Sequence, residues 1–244
     1  MVGKWRQMPL FTSLIMRLKL STKYIFTFLL LVLIMLELHE TVHIITGRII
    51  CGAWGSRDFN VWGLCEGCEL NHPFSWVATL AGPLFSFILI WLGMWLLCSK
   101  KPNNQSVGFS LVFANIPFGR ISQAMMGSGD EMVVTRHLLK TGFSYTQMVV
   151  ICSAILLLLG LPPIIKAYRV ISNKWAWLYI LGFLTLPLVF ILSYVLSFLN
   201  YLLNNGLLSK PWVFGTPLLI TLHTFIVLAA LIVTRRNLML INKD

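Results

Sequence analysis

Long apolar runs constrain this chain more than any other feature. A helix needs about 20 consecutive apolar residues to cross a bilayer. Five segments qualify readily: 24–46, 73–98, 147–166, 175–199 and 212–233. A sixth, 107–126 ("VGFSLVFANIPFGRISQAMM"), is interrupted by Asn115, Pro117, Gly119 and Arg120. Interruptions of this kind are tolerated where a helix lines a protein-enclosed site. Composition agrees, with 57% hydrophobic residues and a mean hydropathy of +0.81, far above a soluble domain. The expected fold class is therefore an all-α membrane protein with about six transmembrane helices. Pro162-Pro163 is expected to end the fourth span and Pro187 to kink the fifth. Asn204-Asn205-Gly206 reads as a turn.

Charge is scarce, at 11% of residues, and unbalanced: 19 Lys+Arg against 8 Asp+Glu, a net +11. In a chain this apolar the excess belongs to loops that set topology and meet anionic headgroups. No nucleic-acid-binding motif accompanies it. With six spans and the N-terminus inside, 13 of the 19 positives fall on the cytoplasmic side. Only Arg48, Arg57, Arg120, Arg136, Lys140 and Lys210 fall on the other. That bias favours both termini in the cytoplasm. The basic N-terminal segment, 1–23, precedes an apolar run without a small-residue cleavage pattern, so the run is expected to be a retained helix. The localisation implied is an integral, multi-pass protein of the cell membrane.

The first span carries a polar cluster: "LIMLELHETVHIITGR", Leu33 to Arg48, holds Glu37, His39, Glu40 and His43. A charge within a span costs roughly 2.5–3.5 kcal/mol on insertion scales, so such residues call for a function. "HETVH" is H-E-x-x-H. On a helix, His39 and His43 stand one turn apart on one face and can share a zinc ion, Zn2+. Glu40 beside the first His can accept a proton from water activated by that metal. At the His and Glu frequencies of this chain, a chance occurrence has odds on the order of 1 in 500.

Catalytic zinc sites usually carry three protein ligands. No third His follows His43 at the extended-motif spacing, so the third must come from far along the chain. Acidic residues are few, three Asp and five Glu. Asp130, in "MGSGDEMV" after the interrupted span, is the candidate, because Gly127 and Gly129 let the backbone bring its carboxylate close. The alternative is a glycine turn with a solvated acidic pair.

Three stretches resemble the site-2 protease family of intramembrane zinc metalloproteases: "HETVH" in an early apolar helix, "LAGPLFS" (Leu80–Ser86), and "NIPFGRISQAMMGSGD" (Asn115–Asp130). Their order and approximate spacing agree over about residues 24–140; the last three spans carry no such motif. Ser86 stands where the family often has Asn, and Glu131 follows Asp130 where the family has Gly. Asp130 also lies further from Pro117 than is usual. The resemblance implies hydrolysis of a peptide bond within or near the membrane. Its site would be Glu40 as general base, His39, His43 and Asp130 as zinc ligands, and Asn115 orienting substrate or the developing oxyanion. It also implies a site opening towards the cytoplasm, whereas the charge count puts His43 nearer the outer face. The expected organisation is a zinc-protease core of about three spans, 24–140, and an accessory three-span region, 141–244. The partners are a transmembrane or membrane-proximal protein substrate and the lipid bilayer. Two other functions use the same ligands: a membrane zinc hydrolase of a lipid or prenyl-modified substrate, and a non-catalytic zinc-binding regulator or transporter.

Other polar features carry less. "CEGCELNH" (Cys65–His72) has C-x-x-C spacing but no second such pair, so the expectation is a tight loop with thiols free or locally bridged. Five cysteines in all do not suggest a disulfide framework. The segment "DFNVWGL" hints at a short β-hairpin between the first two spans, where an edge could hold an extended peptide. His223 is expected to hydrogen-bond a neighbouring helix, and Trp175, Trp177 and Trp212 to anchor span ends.

Overall fold

A computed structural model describes residues 16–242. The first fifteen residues of the basic N-terminal segment and the last two of the chain lie outside it. The fold is all-α. α1 (Thr22–Cys51) leads through a loop to the single turn α2 (Cys68–Asn71), then α3 (Trp76–Leu97), α4 (Pro102–Ala114), α5 (Pro117–Met125) and α6 (Asp130–Leu139). α7 (Tyr145–Val170) follows. A helical rod then spans Ala176–Asn204: α8 (Ala176–Phe190), a π-helical stretch (Ile191–Leu199) and α9 (Asn200–Asn204). α10 (Leu218–Thr234) and a 3₁₀ stretch (Arg235–Asn242) complete the described chain.

Among the described residues five helices are long and apolar enough to cross a membrane: Thr22–Cys51, Trp76–Leu97, Tyr145–Val170, Ala176–Asn204 and Leu218–Met239. The interrupted sixth segment is not one helix. It divides into α4 and α5 at Ile116, whose φ of +52° is left-handed and ends the α-helical hydrogen-bond ladder. Pro117 then supplies the first position of α5, where its missing N–H costs nothing. Neither piece alone has the length of a span. Pro162-Pro163 does not end its helix: α7 continues to Val170, and Ala167 and Val170 are buried. Beyond Pro187 the helix widens into π geometry from Ile191, a recognised accommodation to a disturbed ladder.

The expected hairpin is also absent. Among the described residues no strand forms. The loop after α1 has one isolated antiparallel bridge, Arg57 to Trp62. Two backbone bonds flank it, Asp58 N–H to Val61 O at 2.8 Å and Gly63 N–H to Ser56 O at 2.8 Å.

α1 is capped at both ends. The Ser21 hydroxyl accepts from the Tyr24 N–H at 3.1 Å, and Gly52, at φ +76°, closes the last turn onto Arg48 O. α1 packs on α3, α4 and α10. Towards its N-terminal end Tyr24 and Phe28 meet Phe109 and Phe113 of α4 and Phe183 of α8 in one buried aromatic cluster. There Phe28 and Phe183 sit 5.0 Å apart, edge to face. α3 and α4 approach closely because Gly93 and Gly108 face each other; a Cβ on either would run into the other's carbonyl oxygen. α7 packs against α3, α5 and α6. Between them, α1, α3 and the N-terminus of α6 enclose the polar cluster.

Candidate metal centre

The polar residues of α1 are buried where α3 passes. His39, Glu40 and His43 are 4%, 5% and 0% exposed. α3 presents Ala78, Gly82 and Ser86 at i, i+4 and i+8, one face of a helix. Each does something different for α1. The Ala78 carbonyl accepts a hydrogen bond from His43 Nδ1 at 2.7 Å. Gly82 lies flat against the His43 ring, and a Cβ there would overlap it. Ser86 Oγ lies 3.1 Å from His39 Nδ1. The other face of the His43 ring is covered by Trp62 of the loop, stacked at 4.5 Å and 9°.

The Ala78 contact settles the His43 tautomer. A carbonyl only accepts, so Nδ1 carries the proton, and in the neutral ring Nε2 presents a lone pair. That Nε2 lies 3.0 Å from His39 Nε2 and 3.3 Å from Asp130 Oδ2. His39 Nε2 lies 3.2 Å from the same oxygen. Three potential ligand atoms thus form a nearly equilateral triangle, and the residues expected from sequence to share a metal converge on one point.

The triangle fits a metal ion: His39, His43 and Asp130 would hold it, and it would supply Lewis-acid chemistry there. Two imidazoles and one carboxylate are an ordinary donor set for a catalytic zinc site. Asp130 reaches it as the first residue of α6. Gly127 (φ +72°) and Gly129 (φ +88°) make the turn that delivers it, in conformations that favour glycine. The amide N–H groups of the α6 N-terminus also favour a carboxylate at that position.

Glu40 Oε2 is buried with no hydrogen-bond partner among the described residues. An orphaned carboxylate oxygen beside the triad leaves that atom available to take a proton. Asn115 is less engaged. It caps α4, is 3% exposed, and donates from Nδ2 to Leu111 O at 2.8 Å. Its Oδ1 is buried without a partner, and no hydrogen bond links it to the triad.

Several neighbours were not among the sequence candidates. Arg120 donates from Nη2 to Ser86 Oγ at 2.9 Å, and the same nitrogen lies 2.9 Å from His39 Nδ1. Its Nη1 pairs with Glu131 Oε1 at 3.2 Å, so Glu131 holds the arginine and is not one of the three converging ligand atoms. The signal was a cation inside an apolar segment, read as an interruption of a span. Ser86 was noted only as a departure from Asn; it is the partner of His39. Glu37, one turn before Thr41, takes a two-pronged ion pair from Arg57 at 2.8 and 3.0 Å, which ties the loop bearing Trp62 to α1.

The cysteine loop meets its expectation in part: the turn is tight and one thiol is free, but the bridge reaches back to α1. Cys68 is bonded to Cys51, at the end of α1, while Cys65 is free. His72 is not part of any ligand group there. His223 does as expected: Tyr194 Oη and His223 Nε2 lie 3.3 Å apart, between the π-helical stretch and α10. Trp175, Trp177 and Trp212 are all more than half exposed, at or beside helix starts. Searched against protein-family models, curated proteins and solved structures, the chain matches none.

Proposed function

We propose that this chain is a multi-pass cell-membrane zinc metalloprotease of the site-2 type, hydrolysing a peptide bond within or near the bilayer. The observation that carries the reading is the convergence of His39 Nε2, His43 Nε2 and Asp130 Oδ2 within 3.3 Å, with Glu40 adjacent in sequence. The helix bearing all but Asp130 is apolar enough to cross a membrane. Zinc held by these residues would polarise a peptide carbonyl and make water acidic enough to attack at neutral pH. The remaining tasks belong to the chain. His43 offers Nε2 because Ala78 O holds its Nδ1–H. For His39 Nε2 to do the same, Nδ1–H must go to Ser86 Oγ, 3.1 Å away, and Arg120 Nη2, which lies 2.9 Å from Nδ1 and can only donate, must turn to Ser86 alone. Glu40 takes the proton of the attacking water and returns it to the leaving amine. The substrate is a transmembrane or membrane-proximal protein.

The test separates holding the metal from chemistry. Purified protein should contain about one zinc per chain, lost in the His39→Ala/His43→Ala double variant. Glu40→Gln should keep the zinc and lose peptide cleavage by at least about 100-fold, the scale of a general base. Unchanged cleavage by Glu40→Gln would rule the mechanism out. A lipid or prenyl substrate turned over in place of a peptide would assign the same site to a non-peptide hydrolase.

A further inference from the structure

Three sulfurs meet away from the metal centre. The Sγ atoms of Cys51, Cys65 and Cys68 all lie within 4.8 Å of one another. Cys51 and Cys68 are bonded, and Cys65 is a thiol. The local backbone explains the meeting. Cys51 is the last residue of α1, and Gly52 turns the chain away from the helix there. The chain returns in one tight turn, with Cys68 N–H donating to Cys65 O at 3.1 Å and Gly67 at φ +72°. Cys65 and Cys68 therefore flank the same turn, and both face the end of α1. Cys68 is buried at 3% exposure, whereas Cys51 and Cys65 are half-buried and reachable.

We propose that Cys51, Cys65 and Cys68 form a thiol–disulfide exchange site in which Cys65 is the attacking sulfur. Cys65 gives its proton to water, and the thiolate attacks Cys51 Sγ. The Cys51–Cys65 bond forms as the Cys51–Cys68 bond breaks, and Cys68 leaves as a thiolate that takes up a proton. One disulfide and one thiol exist before and after, so no outside oxidant enters. Attack on Cys68 Sγ instead yields Cys65–Cys68 and frees Cys51.

The two products differ in what they hold. Either bond to Cys51 ties the loop back to the end of α1. The Cys65–Cys68 bond leaves that loop untied, and the loop carries Trp62, stacked on His43, and Arg57, paired with Glu37. Exchange therefore chooses between a tethered and an untethered cover over the metal centre. A small external disulfide, such as glutathione disulfide, can be attacked by Cys65, and a small external thiol can attack the half-buried Cys51 sulfur of the existing bond.

The experiment is a linkage map of the full chain in its membrane. The protein is equilibrated with glutathione and glutathione disulfide at several ratios, trapped with acid, alkylated, and digested for mass spectrometry. The expected result is at least two of the three possible linkages in the unmutated chain. Cys51–Cys68 alone at every ratio, or no bond among the three, overturns the proposal. Variants give a second reading. C68S should close Cys51–Cys65 and C51S should close Cys65–Cys68. Two free thiols in both, while C65S remains bonded, count against exchange. The map needs no cleavage assay, so it stands or falls separately from the proposed protease activity.

Discussion

Gly82 decides where His43 can be. Its missing Cβ is the space that the imidazole fills, with Trp62 on the opposite face. Gly82→Ala should push the ring out of its stack, at a cost of about 1–3 kcal/mol for overpacking, and lower the zinc content of purified protein. Gly182→Ala is the control. A Cβ there meets nothing within 4 Å, and alanine suits a helix interior better by roughly 1 kcal/mol, so zinc content and thermal stability should hold or rise. The adjacent acidic pair separates in a similar way. Asp130 touches both imidazoles, whereas Glu131 is spent on Arg120. Asp130→Asn should weaken zinc binding, and Asp130→Ala more so, as read by competition with a chelator. Glu131→Ala should leave zinc bound but strand the buried Arg120 cation, with a stability loss of about 3–5 kcal/mol. If Glu131→Ala loses zinc while Asp130→Ala keeps it, the third ligand has been assigned to the wrong carboxylate.

At the scale of elements, the loop between α1 and α3 behaves as a cover with two fastenings. One is the Cys51–Cys68 bond. The other is the Glu37–Arg57 pair, with side-chain exposures of 15% and 2%. Breaking such a pair from one side leaves a buried charge alone, whereas removing both members does not. Glu37→Gln and Arg57→Gln should each lower the melting temperature in detergent and raise proteolytic nicking of the loop. The double variant should be less damaged than the sum of the singles, with a coupling of roughly 1–3 kcal/mol. Strict additivity would mean that the pair does not fasten the loop. The α4–α5 break follows a related logic. Ile116 takes a backbone conformation that a β-branched residue adopts at a cost. The break lets the segment after it turn, so that Arg120 reaches His39 and the following turn carries Asp130 to the same place.

For the whole molecule, the testable quantity is the number of crossings. The charge distribution that favours both termini on one face requires α4 and α5 to traverse together as one broken span. In that arrangement, Lys100–Lys101 and the turn at Thr141–Gly142 lie on opposite faces. Single cysteines at Asn103 and Thr141, in a chain otherwise freed of reactive thiols, should then label from opposite sides of sealed vesicles. Labelling of both from one side would make α4–α5 a re-entrant pair and invert the orientation of everything after it.

The sequence alone determined what depends on composition and short-range periodicity. Runs of about 20 apolar residues can only be satisfied as helices in hydrocarbon, and H-E-x-x-H on such a run puts two imidazoles one turn apart whatever surrounds them. The meeting of Asp130 with the two imidazoles was legible too, because a metal held by two His side chains calls for a further ligand and few carboxylates were available. Tertiary structure decided the rest. That Pro162-Pro163 is carried within α7, that the expected hairpin is a loop with one bridge, and that Cys68 bonds Cys51 all depend on packing between segments distant in the chain. The same is true of Ser86 and Arg120, which adjoin His39 across sequence separations of 47 and 81. A hydroxyl or a guanidinium has no local pattern that names its partner. Only the antiparallel passage of α3 past α1, close enough because Gly82 has no side chain, brings Ala78 to His43 and Ser86 to His39.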